Sequence, residues 1–111
     1  MVTVLSQDEN CLLVKARIKK GGKSSIHRHV CQANLFAVAE GLLHVRTWKH
    51  RPSSIDQRWD QEVALGPGES YIAPIGKWHQ FSTGTKHDVL LYEMYMGESV
   101  SLEDIERVGD K

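Results

Sequence analysis

The sequence predicts an all-β domain with one short helix near its C-terminus. Short segments in which apolar and polar residues alternate fill most of the chain, glycines and prolines separate them, and helical spacing of apolar residues occurs near the end. At 111 residues the chain is long enough for one hydrophobic core and too short for two. We therefore expect a single domain over residues 1–111.

The first predicted strand is CLLVKARIKK, residues 11–20. Val14, Ala16 and Ile18 fall on one face and the basic residues between them on the other, and the strand ends at Gly21-Gly22. Further strands are predicted, in chain order, at SSIHRHV, NLFAVAE, LLHVRTW, QEVAL, SYIAP, HQFST and DVLLYEMYM. Turn residues between them are Glu40-Gly41, Gly66-Pro67-Gly68 and Thr83-Gly84.

A polar segment interrupts this series. KHRPSSIDQRWDQ, residues 49–61, contains Pro52 and two serines, and its composition predicts a long hairpin loop. Trp48 comes directly before the segment and Trp59 lies near its end. Packing of the loop onto the sheets is their expected role, with stacking on a ligand as the alternative.

The end of the chain departs from the β pattern. In SVSLEDIERV, Ser101 and Asp104 have the spacing of a capping box, and Leu102, Ile105 and Val108 recur at helical spacing. These features predict a short C-terminal helix.

Composition limits the function classes. Lys plus Arg and Asp plus Glu number 14 each, so no charge excess favours nucleic acid or an anionic membrane, and a small-molecule partner is expected. No apolar stretch is long enough for a membrane span, and MVTVLSQDEN lacks the features of a secretion signal, so we expect a cytoplasmic protein. There, Cys11 and Cys31 would be free thiols.

Two histidines one residue apart form the first candidate site. His27 and His29 lie on one face of a predicted strand, roughly 7 Å apart along it, so that both rings can reach one metal ion. By itself the pair is a weak signal, because histidines on strands are often only solvated. Cys31 follows two residues after His29 and could approach the same ion, or be a small apolar residue at a strand end.

Two sets of spacings resemble the signature motifs of the cupin superfamily. The motif G-x5-H-x-H-x3-4-E-x6-G is matched by Gly21, His27, His29, Asn34 and Gly41. The motif G-x5-P-x-G-x2-H-x3-N is matched by Gly68, Pro74, Gly76, His79 and Thr83. Asn34 thus stands where the family has a glutamate, and Thr83 where it has an asparagine. The resemblance spans roughly residues 10–96.

The resemblance implies a double-stranded β-helix, or jelly-roll barrel, with a divalent transition metal such as Zn, Fe, Mn or Ni inside one end. His27, His29 and His79 match the family's three histidine ligands. Asn34 is then a weak fourth ligand or a hydrogen-bonding neighbour, since an amide oxygen binds a dication less strongly than a carboxylate. Gln32 is an alternative for that fourth place, whereas His44, His50 and His87 lie outside the motifs and are expected to be surface or loop histidines.

The C-terminal part also looks like the mannose-6-phosphate isomerase-like cupins. The matching residues are Tyr71, Ile72, Pro74, Gly76, His79, Glu93, Gly97, Glu103, Asp104, Ile105 and Arg107. This likeness implies isomerisation of a sugar or sugar phosphate, with Glu93 as a proton shuttle if its strand turns it inward. Lys77 and Arg28 could meet a phosphate, although Arg28 alternates with two inward histidines and is expected to point outward.

Two other classes compete with the isomerase. A three-histidine site without a carboxylate resembles that of the iron cupins that activate dioxygen, so a dioxygenase is the alternative to the preferred isomerase. A non-catalytic barrel that binds a sugar or another small ligand is the third hypothesis, because a fold does not determine a reaction. A homodimer is expected in each case, since exposed strand edges and a small core both gain from pairing.

Overall fold

Residues 2–109 form ten strands in two five-stranded antiparallel sheets. The structure is a computed structural model that describes residues 2–109. The strands are β1 (Val2–Gln7), β2 (Cys11–Ile18), β3 (His27–Arg28), β4 (Gln32–Glu40), β5 (Leu43–Trp48), β6 (Gln61–Leu65), β7 (Ser70–Ala73), β8 (Trp78–Thr83), β9 (Val89–Gly97) and β10 (Glu106–Arg107). The first sheet has the order β1-β2-β9-β4-β7 and the second the order β10-β3-β8-β5-β6. The predicted all-β class is confirmed.

The hydrophobic core lies between the two sheets. Val14 and Ala16 of β2 are buried whereas Lys15 and Arg17 are exposed, as the alternation in the sequence predicts. Inward residues of both sheets meet in one cluster, namely Ala16, Phe36, Val38, Leu43, Val45, Leu65, Ala73, Val89 and Leu91.

The loop over residues 49–60 packs against the outer face of the second sheet. The indole N–H of Trp48 donates to the carbonyl oxygen of Gln57 at 3.1 Å, and Trp59 packs against a second apolar cluster. That cluster consists of Ile26, Trp48, Trp78 and Val108. The tryptophans therefore hold the loop on the sheet, as expected.

The predicted C-terminal helix is wrong. Residues 101–109 form a turn and the strand β10, which pairs with β3 through Glu106↔Arg28 and Arg107↔His27. Instead of closing a capping box, the Asp104 carboxylate accepts the backbone N–H groups of Val30 and Cys31. A single isolated turn is too short to stabilise a helix, so hydrogen bonds to the barrel determine the conformation of this segment.

Strand β1 is additional to the expected strands. It pairs with β2 along one edge, with a register shift between Val4 and Ser6, and all six of its residues are exposed. Asp8 turns the chain into β2, because its side chain accepts the backbone N–H groups of Asn10 and Cys11. Among residues 2–109 there is no helix long and apolar enough to cross a membrane.

Candidate metal centre

Three buried histidines meet between the sheets. His27 lies in β3, His29 follows that strand directly, and His79 lies in β8, where it is the register partner of His27. Their ring centroids are 4.4 to 5.5 Å apart. One nitrogen from each ring lies within 4.8 Å of the other two, so the three histidines form a group that could hold a metal ion.

Each ring is oriented by a backbone carbonyl. Nδ1 of His27 donates to Ser25 at 2.9 Å, Nδ1 of His29 to Asp104 at 2.7 Å, and Nδ1 of His79 to Lys77 at 2.8 Å. A carbonyl oxygen only accepts hydrogen bonds, so Nδ1 must carry the proton in each ring. Nε2 is then left with a free lone pair in all three neutral imidazoles.

A glycine turn places His79. Pro74 to Lys77 form a tight turn between β7 and β8 that is closed by a hydrogen bond from Lys77 N–H to Pro74. Gly76 has a φ of 81°, in the left-handed region that glycine adopts without strain. Its N–H donates to the carbonyl oxygen of His29 at 2.8 Å, so the turn that leads to one histidine is attached to another.

Burial favours the neutral form of all three imidazoles. Burial, with a smaller contribution from neighbouring histidines, lowers the pKa of His27 to about 4 and the pKa of His79 to about 3. Burial also lowers the pKa of His29, although the hydrogen bond to Asp104 acts in the opposite direction. Neutral imidazole is the form that binds metal ions.

Among residues 2–109, two buried ring nitrogens have no hydrogen-bond partner. These are Nε2 of His29 and Nε2 of His79, both buried. Buried polar atoms nearly always have a partner, and an exception calls for an explanation such as an ion. Three convergent imidazoles form a competent set of ligands for divalent transition metals, so the residues present fit such an ion.

Several solved structures share this two-sheet architecture. No family model matches the chain, and no curated protein matches its sequence. A Klebsiella pneumoniae protein with a double-stranded β-helix domain superposes with a TM-score of 0.77 at 12% identity, over 99% of this chain and 80% of that one. A cupin-2 domain containing protein from Shewanella frigidimarina gives a TM-score of 0.66 at 19% identity, over 85% and 78%.

The fold is that of the cupins. KdgF from a Halomonas species also shares this fold, with a TM-score of 0.72 at 16% identity over 86% of this chain and 78% of that one. Identities this low support the fold alone. The expected jelly-roll barrel is therefore confirmed.

Asn34, at the position of the cupin glutamate, is fully buried. Its Nδ2 donates to Oε1 of Glu93 at 3.2 Å, and its Oδ1 is buried without a hydrogen-bond partner in the described part of the chain. Gln32, the alternative fourth ligand, uses both ends of its amide on the backbone of Ser101, at 2.9 Å each. Of the two amides, Asn34 therefore has the oxygen that is free to face an ion.

Glu93 points into the barrel, which is the condition that the proton-shuttle hypothesis required. Its side chain is buried, and Oε1 accepts from both Asn34 and the hydroxyl of Tyr95. Burial raises the pKa of Glu93, and these two hydrogen bonds partly oppose that rise. Asn34, Glu93 and Tyr95 form one hydrogen-bonded group, and the ring of Tyr95 contacts the ring of His29 edge-on, with centroids 5.2 Å apart.

Arg28 and Lys77 are close to the ligand histidines in the chain but are not part of the three-histidine group. Arg28 points away from the histidines, as expected, where it pairs with Glu106 at 2.7 Å and lies over the ring of Trp78. Lys77 is half-buried and orients His79 through its carbonyl oxygen. Thr83, at the position of the cupin asparagine, accepts the N–H of Gly22 and donates to the carbonyl of Lys19, which fits the role of a turn residue.

The remaining histidines and cysteines lie outside the three-histidine group. His44 is half-buried and approaches Glu62 at 3.3 Å, and His50 and His87 are exposed. Cys11 and Cys31 are both free thiols, as expected, and Cys31 is exposed. Sequence reasoning missed Tyr95 and the contact of Asp104 with His29. The alternation of Glu93 and Tyr95 on one strand face was the available signal for Tyr95.

Proposed function

We propose that this chain is a metal-dependent cupin that acts on a small polar molecule. His27, His29 and His79 would hold a divalent transition metal, with Zn, Fe, Mn and Ni as candidates, and Asn34 would be a weak fourth ligand. One observation carries the proposal: all three Nδ1 atoms donate to carbonyl oxygens, which leaves each Nε2 lone pair available to a metal ion, and Nε2 of His29 and His79 are buried without another partner.

The reaction that we propose is the isomerisation of a sugar or sugar phosphate between aldose and ketose. The metal would polarise the carbonyl and hydroxyl oxygens of such a substrate. Glu93 would move the proton between adjacent carbons. Both hydrogen bonds that its carboxyl accepts arrive at Oε1, so Oε2 is the atom assigned to the transfer. A buried carboxyl with a raised pKa can take and return a proton more readily than an exposed one.

Recognition of a phosphate has weaker support. The guanidinium of Arg28 is already paired with Glu106, so Lys77 is the basic residue that we assign to this role. The proposal therefore covers unphosphorylated sugars as well.

A three-histidine iron dioxygenase is the second candidate. The observation that favours it is the neutral donor set, since Asn34 replaces the carboxylate and Glu93 reaches the site through the Asn34 amide. Neutral ligands are typical of the iron cupins that the sequence resembles. The third candidate function is a non-catalytic barrel that binds a sugar or a similar small ligand.

Metal content tests the first step. Untagged protein should contain about one equivalent of metal by elemental analysis, and His79→Ala should lose it because one of three ligands is removed. His44→Ala is the matched control, since His44 lies away from the group and should leave the metal content unchanged. A full equivalent of metal in His79→Ala would contradict the three-histidine assignment.

Metal identity and turnover then separate the three functions. Zinc, manganese or nickel together with isomerisation of hexoses or hexose phosphates, lost in Glu93→Gln, would support the isomerase. Iron with substrate-dependent oxygen uptake would support the dioxygenase instead. If the protein binds metal and sugar but shows no turnover in either assay, the non-catalytic binding barrel would be supported.

A further inference from the structure

Asp104 joins the C-terminal segment to the segment that carries the histidines. Its carbonyl oxygen accepts Nδ1 of His29 at 2.7 Å. Its carboxylate accepts the next two backbone N–H groups, with Oδ1 on Val30 at 2.9 Å and Oδ2 on Cys31 at 2.8 Å. One residue thus makes three hydrogen bonds to three consecutive residues, the first of which is a proposed metal ligand.

The three histidines differ in where their acceptors come from. His27 and His79 each donate to a carbonyl two residues earlier in their own segment, on Ser25 and Lys77. His29 donates to a carbonyl 75 residues away in the chain. Its backbone also leaves β3 at this point, so no strand ladder fixes its direction. The orientation of His29 therefore depends on long-range docking, unlike that of the other two.

The docked segment, residues 101–108, runs beside residues 26–32 over its whole length. Ser101 holds both ends of the Gln32 amide, Glu106 pairs with Arg28, and Val108 N–H donates to Ile26. β10 adds ladder pairs with β3. Asp104 lies in the middle of these contacts, and it is the residue of the segment that touches a histidine of the site through a hydrogen bond.

We propose that Asp104 is a positioning residue for His29, and that docking of residues 101–108 and metal binding are coupled. The Asp104 carboxylate holds Asp104 against the backbone of Val30 and Cys31. This contact fixes the position of the Asp104 carbonyl oxygen, which accepts Nδ1–H of His29 and so selects its tautomer. Coupling between two events is reciprocal, so a bound metal must also stabilise the docked segment. The affinity part of this inference rests on the proposed function, whereas the tautomer part does not.

The first experiment compares zinc affinities of full-length variants by chelator competition. Asp104→Ala should weaken zinc binding by about 10- to 100-fold, the usual effect of losing a group that orients a ligand. Asp104→Asn keeps one acceptor oxygen and should bind zinc with an intermediate affinity. Glu106→Gln is the matched control, because it weakens a contact of the same segment with Arg28 and does not touch His29.

A spectroscopic readout separates positioning from a general structural role. With Co(II) as the probe, Asp104→Ala should change the visible absorption of the bound ion, and Glu106→Gln should not. Amide hydrogen exchange over residues 101–108 should slow several-fold when zinc binds the wild-type protein. Zinc affinity of Asp104→Ala within twofold of wild type, or an equal loss in Glu106→Gln, would overturn the proposal.

A last measurement does not depend on metal binding. In metal-free protein, nitrogen chemical shifts of the imidazoles should report the Nδ1–H tautomer for His29, and Asp104→Asn should alter His29 while leaving His27 and His79 unchanged. This result would support the positioning role even if the wild-type protein bound no metal, in which case only the proposed function would fail. Unaltered His29 shifts in Asp104→Asn would refute the positioning role.

Discussion

At Asn34 a neutral amide stands beside a buried carboxylate. Oε1 of Glu93 accepts hydrogen bonds from two donors, so the Asn34 amide must present its NH₂ group to Glu93 and its oxygen elsewhere. The buried carboxyl group therefore lies on β9, at Glu93, and not at the expected ligand position on β4, which Asn34 occupies. The hydrogen bond to Glu93 holds the Asn34 amide in a fixed orientation.

We predict that Asn34→Asp raises the affinity for metal and lowers the stability of the metal-free protein. Two buried carboxylates would repel each other, which should lower the free energy of unfolding without metal by about 1–3 kcal/mol. A charged oxygen ligand should raise zinc affinity roughly tenfold or more. Thermal denaturation with and without zinc measures both effects.

Gln32→Glu is the control for this substitution. Gln32 is a second buried amide on the same face of β4, but both its ends bind Ser101. The control should lower the melting temperature without enlarging the shift caused by zinc. An equal zinc shift in the two variants would place Asn34 away from the ion.

We predict that the metal-free protein begins to lose stability just below pH 6.5, at a higher pH than protonation of its carboxylates would cause. Burial lowers the folded-state pKa of His27 to about 4 and of His79 to about 3, whereas the unfolded chain has the ordinary value of 6.5. Their neutral forms therefore favour folding fully above pH 6.5, and this contribution declines as pH falls from 6.5 toward 3. Melting curves of chelator-treated protein between pH 7.5 and 4.5 measure the decline.

The variant His79→Gln should show a smaller decline over this range, and His44→Gln should behave like wild type. A melting temperature of wild-type protein that stays constant from pH 7.5 to 4.5 would contradict the burial of neutral imidazoles.

At the scale of elements, two turn glycines should differ in how well they tolerate a side chain. Gly76 has a φ of 81° and open space around its missing Cβ, so Gly76→Ala should cost about 1 kcal/mol from backbone strain alone. Gly41 has a φ of 88°, and a Cβ there would lie 2.4 Å from the carbonyl oxygen of Asp88. Gly41→Ala should therefore cost about 2–4 kcal/mol. Urea denaturation of both variants tests this order, which similar losses would contradict.

Most strands could be predicted because their sequences alternate, as in β2, and because turn residues separate them. The C-terminal helix could not be rejected from the sequence, since Ser101 and Asp104 form a valid local signal. The competing partners of Asp104, at Val30 and Cys31, are more than 70 residues away. The three histidines could be predicted from motif spacing. The placement of Tyr95 depends on strand register, and the contact of the Asp104 carbonyl with His29 depends on docking of the C-terminal segment, so neither was predicted from the sequence.

At the scale of the whole molecule, the outer face of the first sheet carries an apolar row. Leu13, Met94, Leu35 and Ile72 are successive register partners across β2, β9, β4 and β7. Ile72 is 54% exposed and the other three are half-buried. We propose that a second copy of the chain covers this row in a homodimer, since the chain has no net charge to oppose self-association.

Light scattering after size exclusion should give a dimer mass for the wild-type protein at micromolar concentration. Met94→Lys should shift the mass to that of the monomer, because it places a charge in the middle of the row. Ile55→Lys is the control, since Ile55 is exposed on the loop at a different face. A monomeric wild-type protein would contradict the proposal.

The long-range acceptor of His29 also has a consequence for protein synthesis. When translation has passed His79, all three histidines exist in the nascent chain, yet Asp104 has not been made. Such an intermediate has two imidazoles with local acceptors and one without. Under the proposed function, a metal ion would be captured in its final geometry only after residues 101–108 have been synthesised and docked.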